Sequence, residues 1–407
     1  MKYVIVIPDG CADDPQESLG GKTPLQAAKL PNMDRLAAMG CVGQANNVPK
    51  PLTPASDVAT LSLFGYDPLE VYTGRAPLEA VAIGVKLGPN DWAIRCNLVH
   101  IRDGAMNDFT AGHIESTDGA PLLASMNAEI RKHSQFDRYE FVPGVQYRNL
   151  LVYRGDGAPA PFSTETKTQA PHDIPDQPIE RYLPSGPGSD VLRELMELSR
   201  GVFLDHPVNQ NRHAAGKKQA TRIWLWGLGK APQVRPFTEQ YGPKGAIISG
   251  VDLVRGTGML IGWDRIDAPG STGYLDTDYA SKGRTAIAAL ADHDLVCVHI
   301  EAPDEASHEG RTDEKILALE RIDELIVGPL LEYLPTVGNW RMFISPDHRT
   351  TLQTRAHAYG MVPFVAGGTG ISTDSASSYD EVTAAASGLV FERGWQAMGW
   401  LLRTENQ

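Results

Sequence analysis

Met1-Lys2-Tyr3-Val4-Ile5-Val6-Ile7-Pro8-Asp9-Gly10 opens the chain. Val4 to Ile7 is an unbroken β-branched run, the pattern of a strand buried on both faces. It is too short for the apolar core of a signal sequence and it ends in Pro-Asp-Gly, so it reads as a strand of the folded protein. Asp9 then stands at the carboxyl end of that strand, where open α/β sheets place their sites. Similar runs recur at Ile223–Trp226, Ala246–Ser249, Leu295–Ile300 and Arg341–Ser345. Helical patterns lie between them. Thr23-Pro24 predicts a helix with proline at its first position, broken at Pro31 and resumed through Met33 to Met39, with Gly40 as its stop. Ala280–Leu290 predicts another. Lys315 to Leu334 predicts a third, with Ile316, Leu319, Ile322 and Ile326 at three- and four-residue intervals. Strands alternating with helices predict an α/β fold: an open, mostly parallel sheet with helices on both faces.

The middle of the chain has a different texture. From Gly74 to Gly216 it is richer in proline, glycine and polar residues. Ala93–Ile101 and Val145–Tyr153 are candidate antiparallel strands, and Gly155 to Pro187 is a proline-rich loop. This predicts a smaller α+β domain, 74–216, inserted into a main domain of 1–73 and 217–407. The chain is expected to rejoin the main sheet near Ile223.

The 407 residues are 42% hydrophobic, enough for a sizeable core. The net charge is −13 without a block of basic residues, which argues against nucleic acid as a partner. It leaves an anionic small molecule open, because local arginines and metal ions decide that. Cys11, Cys41, Cys96 and Cys297 are scattered and form no CxxC pair, so a reduced, cytoplasmic setting is expected. No stretch is long and apolar enough to predict a membrane span, and no membrane partner is expected.

Asp304 and His308 are four apart, on one face of a helix. Asp347-His348 follows another strand, and His357 comes nine residues later in a polar segment. Together with Asp9 and Ser56 these are enough ligands for two divalent ions. Mixed carboxylate and imidazole suits Zn or Mn better than Ca. A metal pair is the usual apparatus for in-line attack at phosphorus, so the pattern predicts metal-assisted phosphoryl transfer. Ser56, in Thr53-Pro54-Ala55-Ser56-Asp57-Val58, falls where a helix starts. Such a serine is most often only a cap. The same position places a hydroxyl at the positive helix end, where a phosphate is stabilised and a nearby cation makes the hydroxyl a nucleophile.

Arginine suits a bidentate grip on phosphate or carboxylate. Arg75, Arg95, Arg148 and Arg212 are candidate substrate contacts, Arg95 and Arg148 foremost because each falls in a predicted strand of the inserted domain. His113, flanked by small residues, is a further candidate, as is Asn97, two residues from Arg95. Asp108 or Asn97 is a candidate to assist proton transfer.

Pro8-Asp9-Gly10, the run from Ser18 to Pro24, Ser56-Asp57-Val58-Ala59, Gly65-Tyr66-Asp67-Pro68 and Arg75-Ala76-Pro77-Leu78-Glu79-Ala80 occur in that order. Arg95-Cys96-Asn97, Ala111-Gly112-His113-Ile114, Pro171-His172-Asp173-Ile174, Asp205-His206-Pro207-Val208-Asn209, Thr272-Gly273-Tyr274 and Ala302-Pro303-Asp304-Glu305 follow. Over nearly its whole length the chain thus resembles the archaeal-type, cofactor-independent phosphoglycerate mutases of the alkaline phosphatase superfamily. The resemblance implies an alkaline-phosphatase-like sheet and two divalent metal ions, with Mn favoured over Zn, Co or Mg. It implies one metal on Asp304, His308 and His357, and the other on Asp9, Ser56, Asp347 and His348. It implies that Ser56 takes the phosphoryl group of 3-phosphoglycerate and returns it to the 2-hydroxyl, with the glycerate held by arginines of the inserted domain. Related mutases place a lysine near the metals. The matching segment here, Asp252-Leu253-Val254-Arg255-Gly256, offers Arg255, which keeps the charge but not the geometry. Ile223-Trp224-Leu225-Trp226-Gly227 resembles a bacterial branch, some members of which have been proposed to phosphorylate homoserine. A phosphotransferase acting on homoserine or a related small alcohol is therefore the alternative reading, with a metal-dependent phosphohydrolase beside it. The chain has no GxxxxGK[ST] loop to hold a nucleotide donor.

Overall fold

A computed structural model describes residues 1–403. The chain forms two compact units, Met1–Tyr72 with Val234–Gln407, and Thr73–Gln233.

In the first unit the strand Lys2–Pro8 lies at the centre of an eight-stranded sheet among the described residues. It pairs in parallel with Leu295–Ile300 on one side and Trp340–Ile344 on the other. Gly245–Ile248 continues the parallel arrangement beyond Leu295–Ile300. Val362–Gly368 runs antiparallel to Trp340–Ile344 and to Gly40–Ala45. The unbroken apolar run follows from two-sided burial. Val4 and Val6 enter one core cluster, with Leu36, Ile322 and Leu330. Tyr3, Ile5 and Ile7 enter another, with Phe64, Phe237 and Phe364. Successive side chains of a strand point to opposite faces, so both faces need apolar residues.

Thr23 caps the helix Pro24–Ala27 with a reciprocal box to Gln26. The next helix, Pro31–Ala38, has no capping side chain of its own. Asp323 supplies it from elsewhere, accepting from the backbone N–H groups of Asn32 and Met33. The single helix expected over Lys315–Leu334 is instead Thr312–Ile322, a π-helical turn at Asp323–Val327, and Gly328–Tyr333. The widened turn occurs where Asp323 is drawn to that neighbouring helix end.

The second unit is an antiparallel sheet. Its long strand Trp92–Arg102 is flanked by Arg148–Tyr153 and Arg222–Lys230. The helices Ser116–Ile130 and Ser189–Leu204 contribute Leu122, Leu123, Leu192 and Leu195 to its core. Two expectations are corrected here. Ile223–Trp226 belongs to this sheet and not to the main one, and the unit extends to Gln233 rather than 216. Ile223, Trp224, Leu225 and Trp226 are all buried. A strand covered on both faces shows the same continuous apolar run whether its sheet is parallel or antiparallel. No helix among the described residues is long and apolar enough to cross a membrane.

Candidate metal centre

Trp340–Ile344, Lys2–Pro8, Leu295–Ile300 and Gly245–Ile248 lie side by side in parallel. Their carboxyl ends lead into Asp347-His348, Asp9, the helix Ala302–Glu309 and Ser249. Asp304 and His308 share one face of that short helix. His357 lies on the strand Ala356–Ala358, which pairs with Arg349–Thr351 so that His357 stands opposite Thr350. This hairpin brings in the one ligand whose polar surroundings predicted no element. Ser56 is the first residue of the helix Ser56–Leu63.

Each of these side chains has one end tied and the other turned inward. His308 Nδ1 donates to the carbonyl of Arg355 at 2.9 Å, and His357 Nδ1 to that of Pro54 at 3.2 Å. In the deprotonated rings that a cation would need, both Nε2 atoms would carry lone pairs, and they lie 3.1 Å apart. Asp304 Oδ2 is 3.0 Å from His308 Nε2, and its Oδ1 is 3.6 Å from His357 Nε2. His348 Nδ1 meets Thr350 Oγ1 at 3.2 Å, and the Thr350 hydroxyl donates onward to Asp304 Oδ1. A hydroxyl that donates to a carboxylate must accept from the imidazole, so His348 Nδ1 holds the proton and Nε2 does not. Around that Nε2 stand Ser56 Oγ at 3.1 Å, Asp347 Oδ2 at 3.4 Å and Asp9 Oδ1 at 3.6 Å.

The electrostatics are unbalanced without a cation. Burial, then the carboxylates of Asp347, Glu301 and Asp304, push the Asp9 carboxyl well up. Burial would also raise Asp304, but hydrogen bonds from His308 and His357 outweigh it and hold Asp304 well below the usual carboxylate range. Its hydrogen bond to Asp304 moves His308 in turn up to about 9. Burial lowers His348 and keeps it neutral. Asp9 Oδ1 and Asp347 Oδ2 are buried and have no hydrogen-bond partner among the described residues. Orphaned buried oxygens, facing lone pairs and clustered carboxylates fit a bound divalent cation, and this donor set of imidazole and carboxylate is one that Mn or Zn accepts. Asp304, His348 and His357 form one ligand-like cluster, and Asp9, Asp347 and His348 a second. His308 adjoins the first through Asp304 and His357.

A third cluster, Asp9, His299 and Glu301, has a different chemistry. His299 Nε2 lies 2.7 Å from Asp9 Oδ2, a hydrogen-bond distance with the proton on nitrogen. Its Nδ1 then accepts from Ser249 Oγ at 3.0 Å. Burial moves this imidazole down to about 3, so it is neutral. His299 ties Asp9 Oδ2 and leaves Oδ1 facing the site. Lys282, wholly buried on the helix Tyr279–Ala289, donates to the His299 carbonyl, and burial moves it down to about 8. His299, Ser249, Thr350 and Lys282 are absent from the sequence-based set. They carry no motif, and only the contacts identify them.

The Arg255 guanidinium has partners outside the ligand clusters: the Ser249 carbonyl, Asp252 and Asp267. It is a brace on the turn after Gly245–Ile248, and Lys282 is a buried lysine beside the third cluster.

In the second unit Arg75 and Arg95 flank the carboxylate of Glu79 at 3.1 and 2.8 Å. The Arg95 contact is ionic, at an angle too poor for a hydrogen bond. Burial would raise Glu79, but Arg95 and Arg75 outweigh it and hold it below its ordinary range. Arg95 also stacks on Trp226 at 4.1 Å. Arg148 is exposed and lies 5.1 Å from the Tyr147 ring. Asn97 is occupied by Trp226 Nε1 and the Phe109 carbonyl. Arg212 is buried, and it binds Asp118 and the carbonyls of Ala111 and Lys218. Asp108 accepts from Thr110, Gly112 and Lys218; burial would raise its carboxyl, but Lys218 and Thr110 outweigh it and hold it near 2.

A parallel sheet that gathers carboxylates, imidazoles and a serine hydroxyl at adjacent strand ends defines a metal-assisted phosphoryl-transfer protein. Residues 37–209 match the family model described as 2,3-bisphosphoglycerate-independent phosphoglycerate mutase. A mutase of that name from Methanothrix thermoacetophila is 46% identical over 95% of this chain and 96% of its own. A probable one from Geobacter sulfurreducens is 44% identical over 99% of this chain and 100% of its own. The solved cofactor-independent phosphoglycerate mutase of Thermoplasma acidophilum covers 99% of both chains at 27% identity, with a TM-score of 0.65. The chain belongs to the family of 2,3-bisphosphoglycerate-independent phosphoglycerate mutases.

Proposed function

We propose that this chain interconverts 3-phosphoglycerate and 2-phosphoglycerate, independently of 2,3-bisphosphoglycerate, through a phosphoserine at Ser56. The observation that carries this is the Ser56 hydroxyl 3.1 Å from His348 Nε2, amid the inward-facing oxygens of Asp9 and Asp347. Asp304, His308 and His357 would hold one divalent ion, and Asp9, Ser56, Asp347 and His348 a second, with Mn the preferred metal. Bound there, such ions supply positive charge that lowers the hydroxyl pKa and offsets charge on the transferred group.

Ser56 Oγ attacks phosphorus; the new Ser56 Oγ–P bond forms as the bond from phosphorus to the 3-oxygen breaks. Ser56 loses its proton in this step, and the leaving 3-oxygen gains one. In the second half the 2-hydroxyl attacks, loses its proton, and Ser56 Oγ leaves and regains one. Retaining the glycerate between the halves requires a grip on its carboxylate, and Arg75, Arg95, Arg148 and His113 offer one. Excluding water between the halves separates a mutase from a phosphatase. The substrate is a small phosphorylated acid, and the setting is cytoplasmic.

The test is phosphorus NMR of 3-phosphoglycerate with chain stripped of metal and then resupplied with Mn, no bisphosphoglycerate being added. The expected result is an equilibrium mixture of the two phosphoglycerates without inorganic phosphate. Phosphate as the main product, or turnover only on adding bisphosphoglycerate, would overturn the proposal.

A further inference from the structure

Arg341 is a buried cation without an anion. It stands second in the strand Trp340–Ile344 and is 3% exposed. Its Nε donates to the Thr369 carbonyl at 2.7 Å, and its Nη1 to the carbonyls of Leu401 and Arg403, each at 2.6 Å. The Leu401 carbonyl belongs to the last turn of the helix Gln396–Leu402, whose negative end suits a cation. Holding that helix occupies Nε and Nη1. Nη2 has no hydrogen-bond partner among the described residues, and no carboxylate among them lies within ion-pairing distance of the guanidinium. A buried charge is ordinarily paired as well as hydrogen-bonded.

The same side chain lines a cleft of about 480 Å³ in the first unit. The strand Val362–Gly368 runs antiparallel to Trp340–Ile344 with Gly368 opposite Arg341, so the loop that follows it returns to this guanidinium. That loop adds the exposed hydroxyls of Ser372 and Thr373 to the lining. Arg403, exposed and without an ion pair among the described residues, adds a second cation. The one carboxylate in the lining, Asp374, accepts from the N–H groups of Val42 and Ala376 at 2.9 and 2.8 Å. Its charge is thus partly met by backbone dipoles, and the two arginines are in excess. Trp400, half-buried, supplies an apolar wall, its ring steadied by Phe391 at 5.7 Å and Phe364 at 6.0 Å. A concavity of this size, with a few convergent polar groups beside an aromatic wall, has the form of a small-molecule site.

The cleft is separate from the metal centre. Asp347-His348 follow the carboxyl end of Trp340–Ile344, whereas Arg341 stands near its amino end, about 10 Å back along the strand alone.

We infer that this cleft is a binding site for a small organic anion, a carboxylate or phosphate that carries a flat apolar group. Arg341 Nη2 and the Arg403 guanidinium take the anionic head, to which arginine suits either chemistry, and the indole of Trp400 takes the flat group. Ser56 and the metal ligands have no part in this site.

Fluorine NMR of the full chain, loaded with Mn and labelled with fluorotryptophan, tests it. The Trp400 resonance is identified by its loss in Trp400→Phe, and it reports on this cleft even when a probe also reaches the metal centre. The probes are benzoate, phenylphosphonate and the uncharged benzyl alcohol. At least one anion is expected to shift the Trp400 resonance saturably, with half-saturation at about 1 mM or below. Benzyl alcohol is expected to bind about 10- to 100-fold more weakly, having no charge for the arginines. Arg403→Gln leaves the carbonyls held by Arg341 untouched, so the fold is kept, and it is expected to weaken anion binding about tenfold. Arg341→Lys, which keeps the charge but not the fork, is expected to weaken it as well. A preference for benzoate assigns the head group as a carboxylate, and a preference for phenylphosphonate as a phosphate. A Trp400 resonance unmoved by both anions at about ten times that concentration would overturn the inference. So would benzyl alcohol binding as tightly as the anions, or anion binding unchanged in Arg403→Gln.

Discussion

Ser56 Oγ and His348 Nε2 face each other across 3.1 Å, the imidazole proton being held on the far nitrogen by Thr350. The serine hydroxyl thus points at an unprotonated nitrogen, in a pocket where Asp9 and Asp347 each present an oxygen without a hydrogen-bond partner among the described residues. A capping role would look different. No side-chain cap closes the helix Ser56–Leu63, and its cap position is Ala55. Ser56→Ala should therefore leave helix and fold intact while removing the nucleophile. We expect mutase turnover in a coupled enolase assay to fall by at least about a thousandfold, with metal content unchanged by mass spectrometry. Retained turnover would exclude a phosphoserine at this position.

Thr350 joins the two ligand groups. Its hydroxyl accepts from His348 and donates to Asp304, and Gly10 leaves room for it, since a Cβ there would come 2.6 Å from Thr350 Oγ1. Thr350→Val keeps the shape but no longer fixes the His348 tautomer. The expected result is a 10- to 100-fold loss of Mn affinity by calorimetric titration, with Thr350→Ser close to the parent. Unchanged affinity in the valine variant would show that the tautomer is set elsewhere.

The strand ends carrying Asp9, Asp304 and Asp347 were legible because a buried parallel strand reads as a continuous apolar run. The helical spacing of Asp304 and His308 was legible for a similar local reason. His357 was recognisable as a ligand type but not as part of a hairpin, because Ala356–Ala358 is short and only half buried. His299 sits inside a strand as apolar in character as its neighbours, and nothing local marks it as the partner of a residue 290 positions away. Arg212 and Asn97 read as candidate substrate contacts because arginine and asparagine suit that task. In the structure they bind carbonyls, an indole and a carboxylate, partners that depend on tertiary structure alone. The same limit misplaced Ile223–Trp226, whose composition cannot tell one doubly covered sheet from another.

Lys315 and Asp13 make an ion pair at 2.8 Å with neither side chain exposed. Lys315 also donates to the Thr350 carbonyl, and Asp13 accepts from the Leu352 N–H. The pair fastens the loop after Asp9 to the hairpin bearing Thr350 and His357. Lys315→Met would leave the Asp13 charge buried without its cation. That should destabilise the first unit by about 3–5 kcal/mol, measured by hydrogen exchange in Leu295–Ile300 under increasing urea. Lys315→Met with Asp13→Asn should recover part of the loss, because the uncompensated charge is gone. A single variant as stable as the parent would mean that water reaches this pair.

The protons of the metal-free site give its stability a definite pH dependence. Burial and then Asp304 raise Glu301 from 4.5 to about 8, and hydrogen bonding to Asp304 raises His308 from 6.5 to about 9. Both groups thus bind protons more tightly folded than unfolded. In the range between each ordinary and raised value the unfolded chain holds fewer protons, so stability falls as pH rises. For Glu301 that range runs from 4.5 to about 8, and for His308 from 6.5 to about 9. His299, lowered to about 3, opposes this below 6.5, and Lys282, lowered to about 8, opposes it above 8, so the metal-free chain should lose stability from pH 6.5 to about 8, by urea denaturation in a chelator. Mn should reverse the trend, because it binds the deprotonated donors and stabilises the folded state more as they become available. Calorimetry of Mn binding in two buffers of different ionisation enthalpy should then show proton release at pH 7. Stability that is flat or rising from pH 6.5 to 8 in chelator, together with no proton release, would mean that Glu301 and His308 are already deprotonated without the metal.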